Sequence, residues 1–303
     1  MADLSIVVPL YNEQECIERF YDAVKEQLKE KTYEVIFVDD GSTDKTLNIL
    51  SDIQKKDKKV KVISFQKNYG KSAALSVGFD RAMGDIIISM DADLQDDPRE
   101  IPKFVEAIDK GYDVVSGWKF QRKDPLKKRL PSKLFNMITR LLSGIRIHDF
   151  NCGFKAYTNH AAKNINIYGE LHRYIPVIAK WNGYKVGEIK VMHHERAAGK
   201  SKYGVTRIFR GIFDLITVKF ITNYSRRPLH WFGSLGITMM LLGLLSGFYL
   251  FLGWLKGIPI GSRPLLLLSV LLVLVGLQLL SVGLLGEIVV FNKEAKYNIK
   301  QEF

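Results

Sequence analysis

Two long stretches near the C-terminus, Trp231–Leu255 and Pro264–Gly286, contain no charged residue. Each exceeds the roughly 20 residues that a helix needs to cross a bilayer. The link between them, Lys256–Arg263, is too short for a domain, so the pattern predicts a helical hairpin. The competing reading is a pair of buried core helices, which usually run shorter and carry some polar positions. Basic residues flank the hairpin on the side of both termini (Arg226, Arg227, Lys293, Lys296, Lys300), whereas the link offers only Lys256 and Arg263. The positive-inside rule then places the N-terminal part and the C-terminal tail in the cytosol. The expectation is an integral protein of the plasma membrane. The N-terminus, MADLSIVVPL, lacks the basic region and apolar length of a signal peptide.

The net charge of +12 is local. Residues 119–140 hold eight Lys or Arg against Asp124, and residues 196–227 hold eight against Asp214, so outside these segments the chain is slightly acidic. Beside a membrane hairpin, such patches suit anionic lipid headgroups or a lipid phosphate better than nucleic acid. A nucleic-acid binder would also leave the hairpin unexplained. Cys16 and Cys152 have no metal-type spacing and give no disulfide framework, which suits a reducing compartment.

The first 117 or so of the 303 residues alternate short β-rich runs with helical patterns. Strands are predicted at Leu4–Val8, Tyr33–Val38, Val60–Phe65, Ile86–Met90 and Val114–Gly117, and helices near 13–30, 44–56, 71–83 and 98–110. Continuous apolar strands alternating with helices argue for a parallel sheet covered on both faces. Ligands in such folds bind beyond the carboxyl ends of the strands. Four of those ends carry polar clusters: PLYNE at 9–13, DDGS at 39–42, NYGK at 68–71 and DAD at 91–93. Farther on, Val205, Ile208, Phe209, Ile212 and Ile216 fall at helical spacing opposite Arg207, Arg210 and Asp214, predicting an amphipathic helix over 203–224. The expected domains are 1–202 (the sheet-bearing domain), 203–229 (interfacial helix), 230–291 (two spans) and 292–303 (tail).

Asp91-Ala92-Asp93 directly follows an apolar strand, with Gln95 two residues on, and forms a small all-oxygen site. Hard cations such as Mg²⁺ and Mn²⁺ prefer oxygen ligands and retain phosphate oxygens and waters. A metal there could bridge a diphosphate and neutralise a leaving group. Asp39 and Asp40 could accept hydrogen bonds from ribose or a base, with Ser42 or Thr43 capping the next helix. Lys71, opening a helix after Gly70, is either a diphosphate ligand or a solvated first-turn residue.

VVPLYNE, VDDGSTD, NYGKSAAL and MDADLQDDP resemble the family 2 glycosyltransferases of GT-A fold. RLPSKLFNMITRLL, HDFNCGFKAY, GELHRYIP, AAGKSKYG and the paired spans resemble the polyprenyl-phosphate glycosyltransferases within it, which include dolichol-phosphate mannose synthases. The resemblance implies an α/β GT-A domain with a Rossmann-like, mostly parallel sheet, followed by an interfacial helix and a transmembrane hairpin. It implies that Pro9, Tyr11, Glu13 and Asp40 contact the nucleotide, and that Asp91, Asp93 and Gln95 contact metal and diphosphate. Asp39, Lys71 and Ala92 complete the candidate nucleotide-sugar set. Arg122, Arg129, Ser132 and Lys133 would face the lipid phosphate, and Arg196, Ser201 and Lys202 would close over the donor diphosphate.

The candidate catalytic residues are Asp93, Asp149 and Arg196. Asp149 either orients the nucleophile or acts as base, or is simply a turn residue bonding nearby backbone N–H groups. His148, His193 and His194 pack or bind phosphate. The expected reaction is inverting transfer of glucose or N-acetylglucosamine from a UDP-sugar to polyprenyl phosphate, with GDP-mannose as the alternative donor. A polysaccharide synthase would need a base and a Q-x-x-R-W motif, absent here. A non-catalytic membrane scaffold is countered by the intact acidic cluster. Homo-oligomerisation is left open.

Overall fold

In the computed structural model, the described residues are 3–29, 31–120, 136–141, 143–194, 217 and 227–291. The predicted amphipathic helix over 203–224 lies outside them apart from residue 217, which is helical. The chain divides into two units, Met1–Val218 and Lys219–Phe303.

The first unit is built on a seven-stranded sheet: β1 (Leu4–Leu10), β2 (Tyr33–Asp39), β3 (Val60–Ser64), β4 (Ile86–Ser89), β5 (Val114–Lys119), β6 (Lys155–Thr158) and β7 (Val186–Val191), in the order β3-β2-β1-β4-β6-β5-β7. Strands β1 to β4 pair in parallel, and every residue of β1 and β2 is buried, as uninterrupted apolar runs require when helices cover both faces. Pro9 lies in β1 without breaking a ladder, because pairing with β4 has already ended at Val7↔Ser89. The sheet is mostly parallel, as expected, with one antiparallel strand. β6 inserts antiparallel to both β4 and β5, and β7 then pairs in parallel with β5. Neither inserted strand shows a strong period: KAYT is four residues long, and VGEIKV mixes glycine and charge on a half-buried strand.

Helices α1 (Ile17–Gln27), α2 (Thr46–Lys56) and α4 (Ile101–Asp109) contribute to the core on one face, where Phe20, Leu50 and Phe104 meet Ile6, Val8 and Phe37. Helices α3 (Lys71–Arg81), α5 (Asn159–Asn164) and α6 (Ile175–Trp181) contribute to the other, where Leu75, Phe79 and Ala161 meet Val7, Ile36 and Val38. The alternation of inward neighbours along β1 and β2 sends successive residues to opposite layers. Each buried Leu, Ile or Phe side chain stabilises the fold by roughly 1.5–3 kcal/mol.

The second unit is a hairpin of α7 (Pro228–Leu255) and α8 (Pro264–Phe291), both long and apolar enough to cross a membrane. At 28 residues each, they extend about 42 Å, against a hydrocarbon core of about 30 Å. The two helices touch through small residues. A Cβ on Gly236 would come within 2.6 Å of the Gly276 carbonyl, and Ser269 Oγ donates to Ser246 Oγ at 2.8 Å. Close backbone approach through glycine and serine is the usual means of packing helices in lipid, where no hydrophobic drive separates helix from tail. At the open end, the Leu229 N–H, unpaired within its own first turn, donates to Glu287 Oε2 at 3.2 Å. The outward faces expose Leu241, Leu245, Phe248, Leu267 and Leu285. That much contiguous apolar surface suits lipid rather than water.

Candidate active site

The loops after β1 and β2 are locked together. Asn12 has a left-handed backbone (φ 54), a conformation asparagine tolerates. Its N–H donates to Ser42 Oγ at 2.9 Å, and its Oδ1 accepts from Thr43 N at 2.8 Å. The Glu13 N–H donates to Thr46 Oγ1 at 3.0 Å. Ser42 and Thr43 are therefore engaged across the loops and do not cap α2 as expected. Asp44, just ahead of the helix, accepts from Thr46 N at 3.0 Å. Asp39 is fully buried and accepts from Ser42 N at 3.1 Å and Ser64 Oγ at 2.8 Å. Asp40 accepts from the backbone of Tyr69 at 2.7 Å and of Gly70 at 2.9 Å. Both carboxylates thus shape the loops that flank the ligand crevice. Gly41 is required between them: its φ is +71, and a Cβ would sit 2.6 Å from the Lys67 carbonyl carbon.

The loop after β4 carries the acidic pair on a strained turn. Leu94 has φ 59, costly for a side chain with a Cβ, and Asp93 accepts from Gln95 N at 3.2 Å. Asn12 and Leu94 are the non-glycine residues with positive φ among those described, and both lie in strand-end loops. Asp93 and Glu13 reach the same region: burial first, then these two carboxylates, raise the Cys16 thiol.

Asp91 faces a cavity of about 120 Å³ on the other side of the turn, lined also by Lys71, Lys155, His172 and Arg173. Its carboxylate is ion-paired with the Lys71 ammonium, which sets Lys71 beside the acidic turn rather than free in solvent. Burial pushes the Asp91 pKa up, but the charge and hydrogen bond of Lys71 outweigh it and hold the group below the usual carboxylate range. Ser89 Oγ donates to the Gly153 carbonyl at 2.9 Å and pins the 151–154 turn against β4. A Cβ at Gly153 would stand 2.8 Å from Asp91 Cγ. Lys155 opens β6 beneath this turn and donates to the Cys152 carbonyl. His172 is fixed by Ser72, whose Oγ lies 3.0 Å from its Nδ1 and accepts from its N–H at 3.1 Å. Arg173 pairs with Glu170 at 2.6 Å.

Among the described residues, no group of three or more His, Cys, Asp or Glu could hold a metal ion by itself. Two carboxylates on one turn still fit Mg²⁺, which takes one or two carboxylates and completes its shell with substrate phosphates and water. Gln95, the third expected ligand, follows on the same turn and uses its carbonyl to accept from His194 N at 2.9 Å.

Other expected residues are placed differently. Asp149 is buried and forms a tight turn, its Oδ1 accepting from Asn151 N at 3.1 Å, while Glu188 accepts from the Asp149 N–H at 2.9 Å. The turn contact is therefore present, alongside the expected role of orienting a nucleophile or acting as base. Lys119, counted with the basic patch, is instead half-buried and paired with the buried Asp96, its Nζ 2.9 Å from Oδ1. Burial opposes its charge, yet Asp96 raises its pKa overall. Arg140 donates to the Ile147 carbonyl at 3.1 Å. His148 stacks on Trp118 with centroids 4.0 Å apart and bonds Glu188 at 2.7 Å, and His194 meets Asp97 at 3.0 Å, so both are packed and paired. Arg122, Arg129, Ser132, Lys133, Arg196, Ser201 and Lys202 lie outside the described residues.

A family profile described as Glycosyl transferase family 2 matches residues 5–166, just over half the chain. The chain belongs to this family. It is 37% identical over 295 residues to the dodecaprenyl-phosphate galacturonate synthase of Rhizobium johnstonii, covering 95% of this chain and 87% of the relative. It is 34% identical over 294 residues to the undecaprenyl-phosphate 4-deoxy-4-formamido-L-arabinose transferase of Pseudomonas aeruginosa, covering 94% and 84%. Among solved structures, glucosyl-3-phosphoglycerate synthase from Mycobacterium tuberculosis, in complex with Mn²⁺, UDP and phosphoglyceric acid, aligns with a TM-score of 0.56 at 18% identity over 73% of this chain and 78% of that one. A further crystal of that enzyme holds Mg²⁺ and UDP. This likeness shows the GT-A fold.

Three cavity residues, Lys155, His172 and Arg173, were not singled out from the sequence, although they lie within HDFNCGFKAY and GELHRYIP. For Lys155 a signal exists: a lysine interrupting the otherwise apolar run Phe154–Tyr157 is costly to bury without a purpose.

Proposed function

We propose that this family 2 glycosyltransferase moves a sugar from a UDP-sugar onto a polyprenyl phosphate at the cytosolic membrane face, with inversion and with Mg²⁺ or Mn²⁺. One observation supports this most: the likeness to two lipid-phosphate sugar transferases runs over 94–95% of the chain, through the apolar hairpin as well as the donor domain. A hairpin of this kind would hold the domain where its acceptor lies.

Pro9, Tyr11, Glu13, Asp39, Asp40 and Ala92 would line or shape the nucleotide crevice, and Lys71, Asp91, Asp93 and Gln95 its diphosphate end. A bound metal would neutralise charge on the diphosphate leaving group. Arg196, Ser201 and Lys202 would close on the donor, and Arg122, Arg129, Ser132 and Lys133 would hold the acceptor phosphate. A phosphate monoester is largely dianionic near neutral pH. Its oxygen attacks the anomeric carbon as the bond to the β-phosphate oxygen breaks, and the electron pair leaves with UDP. No proton has to move, so the chemistry rests on positioning and charge neutralisation. This agrees with Asp149 serving the turn rather than acting as a base. Glucose and N-acetylglucosamine are the sugars suggested by sequence motifs. Galacturonate and 4-deoxy-4-formamido-L-arabinose join them through the relatives' names.

The test incubates the full-length protein in detergent with Mn²⁺ or Mg²⁺, a short polyprenyl phosphate and a panel of UDP-sugars plus GDP-mannose. A lipid-linked sugar should form from one UDP-sugar, vanish with EDTA and fall at least about 100-fold in Asp93→Ala. No product from any donor, together with unchanged nucleotide binding in Asp93→Ala, would overturn the proposal.

A further inference from the structure

Three strong cations line the cavity beside Asp91, and two are already matched by acids. Lys71 is paired with Asp91, and Arg173 with Glu170. Lys155 differs. It is only 3% exposed, and among the described residues no ion pair links it to a carboxylate; its Nζ donates to the Cys152 carbonyl. Its neighbours in the sheet are serines, Ser89 on β4 and Ser116 on β5. Phe154, Ala156 and Tyr157 on either side are completely buried. An apolar side chain would fill this position without the cost of desolvating an ammonium. Burial, reinforced by the nearby charge of Lys71, disfavours the charged form and lowers its pKa. A buried ammonium in the lining of a polar cavity, beside a metal-type acidic turn, has one economical purpose, which is to meet a ligand anion.

We infer that Lys155 binds an anionic oxygen of the nucleotide-sugar donor, carried either on its diphosphate or on a carboxylate of the transferred sugar. The inference rests on the donor reading proposed above. The two sources differ in what a substitution removes. If the diphosphate is the partner, every donor and UDP itself loses affinity. If a sugar carboxylate is the partner, only uronate donors do.

Calorimetric titration of the full chain in detergent with UDP, UDP-glucose and UDP-galacturonate, each with Mg²⁺, decides between them without any lipid acceptor. In Lys155→Met, a matched volume without charge, a diphosphate partner predicts a loss of about ten- to a hundredfold in affinity for all three ligands. A carboxylate partner predicts a loss of similar size for UDP-galacturonate only. Lys155→Arg, which keeps the charge, should retain more affinity than Lys155→Met. Affinities within twofold of wild type for all three ligands in a folded Lys155→Met protein would overturn the inference. Should that variant not fold, a structure of the wild-type protein with UDP-galacturonate and Mg²⁺ replaces it. Lys155 Nζ within about 3.2 Å of an anionic donor oxygen supports the inference, and a water-filled gap refutes it. Because binding is read without transfer, failure of the wild-type protein to glycosylate any lipid would count against the proposed reaction and leave this test standing.

Discussion

Gly153→Ala isolates the position of one carboxylate. The three atoms nearest a Cβ at residue 153 all belong to Asp91: Cγ at 2.8 Å, Oδ1 at 3.0 Å and Oδ2 closer still. Ordinary van der Waals contact begins at 3.4 Å, so the nearest oxygen must retreat by about 1 Å. The backbone offers no easier escape, because the Ser89 hydroxyl holds the Gly153 carbonyl at 2.9 Å. Gly153 is also not among the residues with positive φ, so alanine brings no conformational penalty of its own. It even restricts the unfolded chain, which favours the variant by about 0.4–1 kcal/mol. Folding should therefore change by no more than about 1 kcal/mol, while Asp91 swings away from its place beside Lys71. A displacement of about 1 Å in a positioning group can cost about 100-fold in rate. The assay is lipid-linked sugar formation at varied metal, paired with a thermal melt in the same detergent. A kcat/KM within threefold of wild type would refute the placement of Asp91 at the reacting end of the donor. A large fall in Tm would show that the clash is absorbed by the backbone instead.

Three further outcomes follow from particular contacts. Gly41→Ala must adopt a φ near +71 and press a methyl 2.6 Å from the Lys67 carbonyl carbon, so it should destabilise the first unit by at least about 1–2 kcal/mol, read as a lowered urea midpoint. Glu34 is buried, and although burial raises its pKa, hydrogen bonds from Lys61, Ser5 and Met83 lower it overall. Its contribution is complete above the ordinary value of 4.5 and is lost as pH falls through the depressed folded value, so acid denaturation below that point should be blunted in Glu34→Gln. Gly276→Leu would drive a side chain into the Gly236 carbonyl at 2.6 Å and should lower the melting temperature of the full chain in detergent, with no such effect from Gly247→Leu, whose Cβ meets nothing.

Much of the scaffold could be read directly. The runs LSIVVPL and YEVIFVD have the uninterrupted apolar character of strands buried on both faces, and both form within two residues of their predicted bounds. The hairpin was equally legible, because no soluble fold needs two such long stretches without charge. The antiparallel β6 was not. Four residues give no period, and its place between β4 and β5 depends on a return of the chain from about forty residues away.

The acids at the strand ends announced themselves by position, since a parallel sheet delivers the residues after each strand to one edge. What each acid does there was a matter of partners, and partners are set by distance in space. Only the folded chain brings Ser64 to Asp39, the 69–70 amides to Asp40, and Lys71 to Asp91. It also moved Lys119 from a surface patch into an ion pair with Asp96, and gave Asp149 its turn contact with the Asn151 N–H. Local pattern determines which segments must be strands, helices or spans, because hydrophobic burial and backbone pairing act along the chain at fixed periods. Which charges are spent within the protein and which are left for a ligand depends on packing between segments up to a hundred residues apart, such as Ser72 with His172. No periodicity records that.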